Sequence, residues 1–499
     1  MREAGILLPI SALNSKHGIG SFSKEAYHFV DWLKRAGQSY WQILPLSPTS
    51  FGDSPYQSFS AFAGNPYYID LESLIEEGLL MREECGVDFG RGERTIDYSK
   101  IYNQRIPLLK KAFLRFKKDN GYYAFLDNNS FWLDDYALFM TVKGENCGES
   151  FQYWSGELKN REKEAISAVR EKHGEKIEFW KFVQYKFDQG WKRLKAYANK
   201  NGVKIIGDIP IYTALDSSDV WAYPELFKLD EDKRPISVAG CPPDGFSKKG
   251  QLWGNPLYRW DVHKKSGYEW WKRRLKKSFE LYDALRIDHF RGFDEYYSIK
   301  YTAEDATNGK WERGPGCELF YEIEKAIGKR EIIAEDLGFM TDSVKNMLNK
   351  SGFPGMRVFQ FGFDARDTGA QNDYLPHNYI ENSVAYTGTH DNPTIVSWFF
   401  EISDDERKTV RTYLCDTYTP DSEINKPIIG AVMRSPSKLA IIPIQDYLGY
   451  DSRARMNKPA TASGNWLWRL SGNDLSDELA DYIKELTKVT GRLKREDKN

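Results

Sequence analysis

Cysteine is scarce in this sequence and widely dispersed. The five present, Cys85, Cys147, Cys241, Cys317 and Cys415, form no CxxC pair, and an odd number cannot all pair within one chain. That pattern excludes a disulfide framework and a structural zinc site, and it is the pattern of reduced thiols in the cytoplasm. An excess of charge of either sign is missing too: 70 Lys and Arg stand against 72 Asp and Glu, a formal net charge of −2. With no long basic run interleaved with aromatics, nothing marks a nucleic-acid binder. No stretch reaches the roughly 18 apolar residues of a membrane span. The start, MREAGILLP, puts an acidic residue and a proline where a signal peptide needs a long apolar run. A Gly-rich phosphate loop is also absent, which leaves a phosphate-handling enzyme without support. The expectation is a cytoplasmic protein with no nucleic-acid or membrane partner.

Aromatic residues, by contrast, are plentiful: 15 Trp, 30 Tyr and 28 Phe in 499 residues. Most belong to the core that a chain of this length must bury. Sugar rings also present flat C–H faces that pack on aromatic rings, so the composition leans toward carbohydrate.

Short, nearly continuous apolar runs recur along the chain at 5–10, 40–45, 203–209, 283–287, 331–334, 356–361, 383–386 and 439–444. Their length and two-sided apolarity suit strands of a parallel sheet. Helical periods lie between them. Ala26, Phe29, Val30 and Leu33 share a face in 23–36, with Ser23 as N-cap and Gly37 as stop; Trp271, Leu275 and Phe279 repeat in 269–280. Leu319, Phe320, Ile323 and Ile327 repeat up to Gly328, and Asp342 caps a helix carrying Val344, Met347 and Leu348 that stops near Gly352. Eight buried strands alternating with helices imply an α/β protein, a (β/α)8 barrel spanning 1–499.

The spacing of the strands is uneven. Roughly 150 residues separate the second from the third, far beyond an ordinary connection. Residues 51–200, with amphipathic stretches and many Trp and Tyr, read as an inserted, mostly helical subdomain. Residues 213–265, rich in Pro, Gly, Asp and Trp, read as long loops, and 395–437 as a charged helical insertion after strand seven. The end, 474–499, has a helical period and a charged, frayed tail.

Three acids follow proposed strands four, five and seven: Asp288 after Ala284–Ile287, Glu335 after Ile332–Ala334, and Asp391 after Ala385–His390. Reactive groups of such barrels gather where strands end at the C-terminal face. A retaining glycosidase needs this set: an ionised carboxylate about 5–5.5 Å from a protonated carboxylic acid, the first attacking the anomeric carbon as the second protonates the leaving oxygen. Arg286, two residues before Asp288 on one strand face, would hold Asp288 ionised. The apolar approach Ile332-Ile333-Ala334 is compatible with a raised pKa at Glu335. Asp391 would orient sugar hydroxyls, with His390 as a nearby donor. Taken singly, an aspartate after an apolar run is ordinarily a cap or turn residue, Arg286 a structural ion-pair partner and His390 a loop histidine. Their joint placement argues for chemistry.

The segments ALRIDHFRG at 284–292, IAEDLG at 333–338 and YTGTHDNPT at 386–394 resemble signatures of the 4-α-glucanotransferases, also called amylomaltases or disproportionating enzymes, which form glycoside hydrolase family 77 of the α-amylase superfamily. The resemblance runs from Gly5 to about Leu470. It implies a nucleophile at Asp288, an acid/base at Glu335 and a transition-state stabiliser at Asp391, with Arg286 and His390 contacting the donor sugar. Asp208, in IGDIP at 206–210, matches the superfamily's supporting aspartate. FGDSPYQ at 51–57 resembles the loop whose Ser and Tyr meet the glucan, which maps to Ser54 and Tyr56. AGCPPDGFS at 239–247 and GQLWGNP at 250–256 resemble the lid over the acceptor side, mapping Asp244, Gln251 and Trp253 onto substrate contacts. Without the resemblance these loops read only as Gly/Pro-rich turns that either bind or pack. RMNKPA at 455–460 resembles a segment that usually has Gly after the Pro; Ala460 departs from it, and no role is carried onto that loop.

The same triad serves transfer and hydrolysis, which differ in whether a sugar hydroxyl or water meets the covalent glycosyl-enzyme. A lid at 238–256 together with Tyr56 would hold an acceptor and keep water away. The expectation is disproportionation of α-1,4-glucans between a maltodextrin donor and a maltodextrin or glucose acceptor, with cyclic products when a chain's own end attacks, and no metal or organic cofactor. The alternatives are an α-glucan hydrolase and a silent glucan-binding scaffold; the presence of all three acids opposes the latter.

Overall fold

The computed structural model describes residues 2–90, 92–243, 247–338, 340–363, 371–461 and 463–494. Among them are twelve strands: β1 (Glu3–Leu7), β2 (Tyr40–Gln42), β3 (Lys204–Pro210), β4 (Ser237–Cys241), β5 (Gln251–Pro256), β6 (Ala284–Asp288), β7 (Glu295–Lys300), β8 (Lys310–Arg313), β9 (Glu331–Ala334), β10 (Gly355–Val358), β11 (Ser383–Tyr386) and β12 (Leu439–Pro443). Eight close a parallel barrel in the order β1-β2-β3-β6-β9-β10-β11-β12, with β12 returning to β1. These are the eight apolar runs of the sequence; β1, β2, β10 and β12 end earlier than the runs, where the chain curls away at the barrel mouth, and β3 and β6 run one residue further. After β10, for instance, Phe359–Phe363 forms a 3-10 turn instead of extending the strand.

Strand alternation sorts the apolar side chains into two cores. Leu7, Ile206, Ala284, Ile333, Val384 and Ile441 point into the barrel. Their neighbours Ile6, Ile205, Leu285, Ile332, Ala385 and Ile442 point outward against the helices. With both faces buried, each large aliphatic contributes roughly 1.5–3 kcal/mol of burial, and a period-2 amphipathic signal is absent for that reason. The inward positions end in polar residues at the mouth. Ile206 gives way to Asp208 and Ala284 to Arg286 and Asp288, and Asp208 stands opposite Arg286 in the β3–β6 register.

The helices Lys24–Arg35, Glu269–Leu281, Cys317–Ile327 and Asp342–Ser351 cover the outside. Two expected caps differ. Thr341, not Asp342, caps the last of these helices, its hydroxyl accepting from the Val344 amide at 3.3 Å; Asp342 is the first helical residue. Ser23 is the N-cap residue of the first helix, but its hydroxyl donates to Glu25 at 2.5 Å instead of accepting from a first-turn amide.

Between β2 and β3 the chain builds helices including Tyr98–Arg115, Asn120–Glu145 and Gly174–Lys200. The last runs directly to β3 and ties itself to the barrel layer through Trp191, whose indole donates to Leu281 O at 2.9 Å. Segment 213–265, expected as loops, contributes β4 and β5 to a four-stranded antiparallel sheet ordered β5-β4-β7-β8. Its edge strand Gln251–Pro256 carries Gly254 and Pro256, residues that a strand tolerates at an edge. After β11 come helices Ile395–Glu401, Asp404–Leu414 and Asn425–Arg434.

As far as Arg492 the C-terminal stretch is firmly held; residues 495–499 of the expected frayed tail lie outside the described residues. Helix Asp477–Val489 pairs with Lys24–Arg35 through Arg35 to Asp477 and Asp481. Beyond it, fully buried Arg492 donates to Met433 O, Glu3 O and Ser435 O at 2.8–2.9 Å. No helix among the described residues is long and apolar enough to cross a membrane.

Candidate active site

The β6–β9 pairing sets the centre of the site. Ile287 lies opposite Ala334, so the next residues, Asp288 and Glu335, leave neighbouring strands side by side, where strand spacing is about 4.8 Å. The Glu335 amide still donates to Ile287 O at 3.1 Å, and its carbonyl accepts from Phe290 N at 3.1 Å. The chain therefore stays in register one step beyond the strand ends.

Arg286 organises one side. One terminal nitrogen donates to Asp208 at 2.7 Å and the other to Asp288 at 2.8 Å. Asp208 is fully buried, whereas 30% of the Asp288 side chain opens to the cleft. Burial pushes the Asp288 carboxyl up from its ordinary value, and the Arg286 charge pulls against it. Burial also works against the Arg286 charge, but its two carboxylates hold that pKa well above normal.

Glu335 has no such cation in contact. Its Oε2 accepts from the His289 amide at 2.6 Å and its Oε1 from the Leu337 amide at 3.0 Å. Burial first, and the Asp288 charge second, raise it to about 8. Burial raises both acids, and only Asp288 has a cation in contact to oppose the rise. Asp288, in contact with a guanidinium, is the one whose ionised form is favoured, and Glu335, held only by amides, is the one whose protonated form is favoured.

Local backbone geometry fixes Glu335. His289 adopts a left-handed conformation, φ 52 and ψ 49, which turns its amide toward the Glu335 carboxylate. The next residue, Asp336, is buried and accepts from the Met356 amide at 2.6 Å while pairing with Arg357 at 3.1 Å. A Cβ at position 355 would sit 2.3 Å from the Asp336 carboxylate, so that carboxylate takes this seat only with Gly355 there.

Asp391 enters on the loop after β11. His390 stacks on Tyr56, with centroids 5.0 Å apart and planes at 14°, and its Nε2 lies 3.5 Å from Asp391 Oδ1. The Tyr56 hydroxyl donates to Asp208 at 2.7 Å, closing a chain of contacts from Asp288 through Arg286, Asp208, Tyr56 and His390 to Asp391. Residues 208, 286, 288, 335, 390, 391 and 56 thus share one mouth.

Of the remaining expected contacts, Ser54, Gln251 and Trp253 lie beside these residues. Ser54 lies in the Tyr56 loop, its hydroxyl accepting from the Tyr56 amide at 3.3 Å. The Trp253 indole donates to Gln251 Oε1 at 3.1 Å, and its ring stands edge-on to His289 at 4.8 Å. Asp244 lies outside the described residues. Two residues given no role by the sequence reading touch Asp391 directly. Asn457 donates to its Oδ1 at 2.6 Å and Arg455 to its carbonyl at 2.7 Å. Trp466 packs against both Tyr56 and His390. The RMNKP run was the available signal. Among the described residues, no group of three or more His, Cys, Asp or Glu is placed to hold a metal ion.

The chain matches the family model described as 4-alpha-glucanotransferase over residues 8–476. It is 47% identical over 487 residues to the 4-alpha-glucanotransferase of Clostridium butyricum, spanning 97% of this chain and 99% of that one. Against the 4-alpha-glucanotransferase of Thermus thermophilus it is 44% identical over 503 residues, 99% of each. Among solved structures, the amylomaltase from Streptococcus agalactiae in complex with acarbose superposes with a TM-score of 0.95 at 41% identity, covering 99% of this chain and 100% of that one.

Proposed function

The chain belongs to the 4-alpha-glucanotransferase family, glycoside hydrolase family 77, and on that premise we propose that Asp288 is its nucleophile, Glu335 its acid/base and Asp391 its transition-state stabiliser. The reaction of the family is transfer of a glucan segment, so two displacements at one anomeric carbon are required. In the first, an Asp288 oxygen bonds to C1 as the C1–O4 bond breaks, and the Glu335 proton goes to the departing O4. In the second, Glu335, now a carboxylate, takes the proton of an acceptor 4-hydroxyl, whose oxygen displaces Asp288 from C1. Two inversions give net retention.

The observation that carries this reading is the division of the two carboxyls by Arg286. The guanidinium donates to Asp288 at 2.8 Å, while Glu335 meets only amides and is raised to about 8. The same electrostatics supports the change of role between steps. The Asp288 charge helps to raise Glu335; once Asp288 is esterified that charge is gone, and Glu335 becomes the better carboxylate the second step needs.

Arg286 and His390 hold the donor sugar in this reading, and Asp208 supports Arg286. Ser54, Tyr56, Asp244, Gln251 and Trp253 meet the glucan, with 213–265 serving as a lid on the acceptor side. The 51–200 and 395–437 segments are insertions into the single barrel. The acceptor is another maltodextrin or glucose, cyclic products arise when a chain's own end attacks, and the steps draw on protein groups alone. A cytoplasmic setting agrees with five free cysteines.

Maltotriose alone is the test substrate. Transfer yields glucose and a ladder of longer oligomers at constant reducing-end number; reducing ends that rise with every cleavage would instead establish hydrolysis. Asp288→Asn should abolish turnover while leaving the fold and glucan binding in place, and an unaltered rate would remove Asp288 as nucleophile.

A further inference from the structure

Asp391 and His390 lie on a loop, 388–394, between the end of β11 and the helix Ile395–Glu401. Much of its shape comes from within. Asn392 Oδ1 accepts from the Thr389 amide and hydroxyl at 2.9 and 2.8 Å, and the Asp391 amide donates to the Thr389 hydroxyl at 3.2 Å. Such a turn behaves as a unit, and its place at the mouth is set by the grip of Arg455 and Asn457 on Asp391 and by where its two ends are fastened.

Both ends are fastened by one side chain. Asp446, just past β12, accepts from the Thr387 hydroxyl at 2.5 Å through Oδ2 and from the Ile395 amide at 2.8 Å through Oδ1. It is 2% exposed, and neither of its contacts is a cation. A buried carboxylate without a counter-charge is costly, and burial indeed raises its pKa to about 6. Its own backbone is pinned as well, its carbonyl accepting from Asn425 at 2.8 Å. Thr387 and Ile395 are the residues immediately outside the turn, so this carboxylate spans the hinge points of the element that carries the transition-state contact.

We propose that Asp446 is a positioning residue for the transfer reaction, clamping Thr387 and Ile395 so that His390 and Asp391 are presented to the sugar in a fixed pose. The inference rests on the reading of Asp391 as transition-state stabiliser. Loss of the clamp acts on the chemical step, because displacement of a reacting group by about 1 Å costs roughly a hundredfold in rate. It leaves the glucan-binding rim in place.

The test compares Asp446→Ala, Asp446→Asn and Asp391→Asn in maltotriose disproportionation, with kcat normalised to folded protein by circular dichroism and a thermal melt. Asp446→Ala is expected to lower kcat by about 10- to 100-fold with KM within about threefold. Asp446→Asn should recover most of that loss, because its oxygen accepts from Ile395 N and its amide donates to the Thr387 hydroxyl oxygen. A purely structural role would lower the melting temperature of both variants but leave kcat per folded molecule unchanged, and that result overturns the inference. So would a rise confined to KM, or an Asn variant as impaired as the Ala variant. If Asp446→Ala does not fold, Thr387→Val removes one end of the clamp, and a kcat within twofold of the parent refutes the inference. A full rate in Asp391→Asn would bring down the reading of the site and this inference with it. A silent Asp391→Asn beside a fully active Asp446→Ala sinks this inference alone.

Discussion

Replacing Arg286 by Lys probes the electrostatic division on which the proposed mechanism depends. Arg286 contacts Asp208 and Asp288 with separate nitrogens at 2.7 and 2.8 Å, a fork that a single ammonium cannot reproduce. Of the two carboxylates, Asp208 is fully buried while the Asp288 side chain is 30% exposed. An unpaired charge costs more at the drier site, so the lysine follows Asp208 and Asp288 loses its direct contact. A charge-assisted hydrogen bond of about 2 kcal/mol corresponds to about 1.5 pKa units, and the shift is upward because the lost partner favoured the ionised form. The nucleophile must be ionised, so activity is lost as pH falls through the lower pKa of the coupled pair. The acid must be protonated, so activity is lost as pH rises through the upper one, near 8 for Glu335. In kcat/KM profiles for maltotriose, the acid limb of Arg286→Lys should move up by about 1.5 pH units while the alkaline limb stays near that of the parent, narrowing the plateau. An acid limb that stays put, with the whole curve merely scaled down, would show that Arg286 is not what keeps Asp288 ionised.

The other expectations concern stability. His263 is fully buried against Tyr258, Trp260 and Trp270, and burial holds its pKa at about 4 against an ordinary 6.5. Its folded pKa is the lower one, so its neutral form is no burden above about 6.5, and between there and pH 4 the unfolded chain gains by binding the proton, by about 3 kcal/mol. Urea unfolding of His263→Leu and the parent at pH 7 and 4 should differ in pH dependence by about that amount; parallel declines would contradict the assignment. Ala460 sits at φ 62, a left-handed conformation that costs an alanine about 1–2 kcal/mol. Ala460→Gly relieves this and returns about 0.4–1 kcal/mol through the freer unfolded chain, so equilibrium unfolding should show equal or slightly greater stability; a loss above about 1 kcal/mol would contradict it.

The barrel was legible because its strands are buried on both sides and therefore stand out as short apolar runs between helical periods. The antiparallel sheet was not. β4 pairs across sequence with β7, and neither Ser237–Cys241 nor Gln251–Pro256 alternates strongly enough to be distinguished from loop; Gly240, Gly254 and Pro256 argue locally against a strand. Long-range pairing overrode local propensity there. The seating of Arg492 was hidden for the opposite reason. Arg492 is a charged residue near a charged end, yet three backbone carbonyls more than fifty residues away take it into the interior.

A similar asymmetry governs the site. The proposed reactive acids are legible locally, Asp288 and Glu335 at the ends of apolar runs and Asp391 a few residues beyond one, whereas several of the groups that hold them are polar residues remote in sequence. Asn457 lies 66 residues after Asp391, Asp446 lies 59 after Thr387, and Tyr56 stands 152 before the Asp208 it contacts. Nothing periodic links such partners, so local patterns reveal the chemistry and conceal its scaffolding. The loop of residues 455–460 makes the point sharply. Alanine in place of the usual glycine at 460 argued against giving that loop a role, but the change falls on a residue whose positive φ is a matter of backbone strain. The donors that reach Asp391 belong to Arg455 and Asn457. A departure from a family pattern weakens a residue's role when it removes the contacting atom. Here it alters the turn beside that atom, and the fastening of Asp391 survives it.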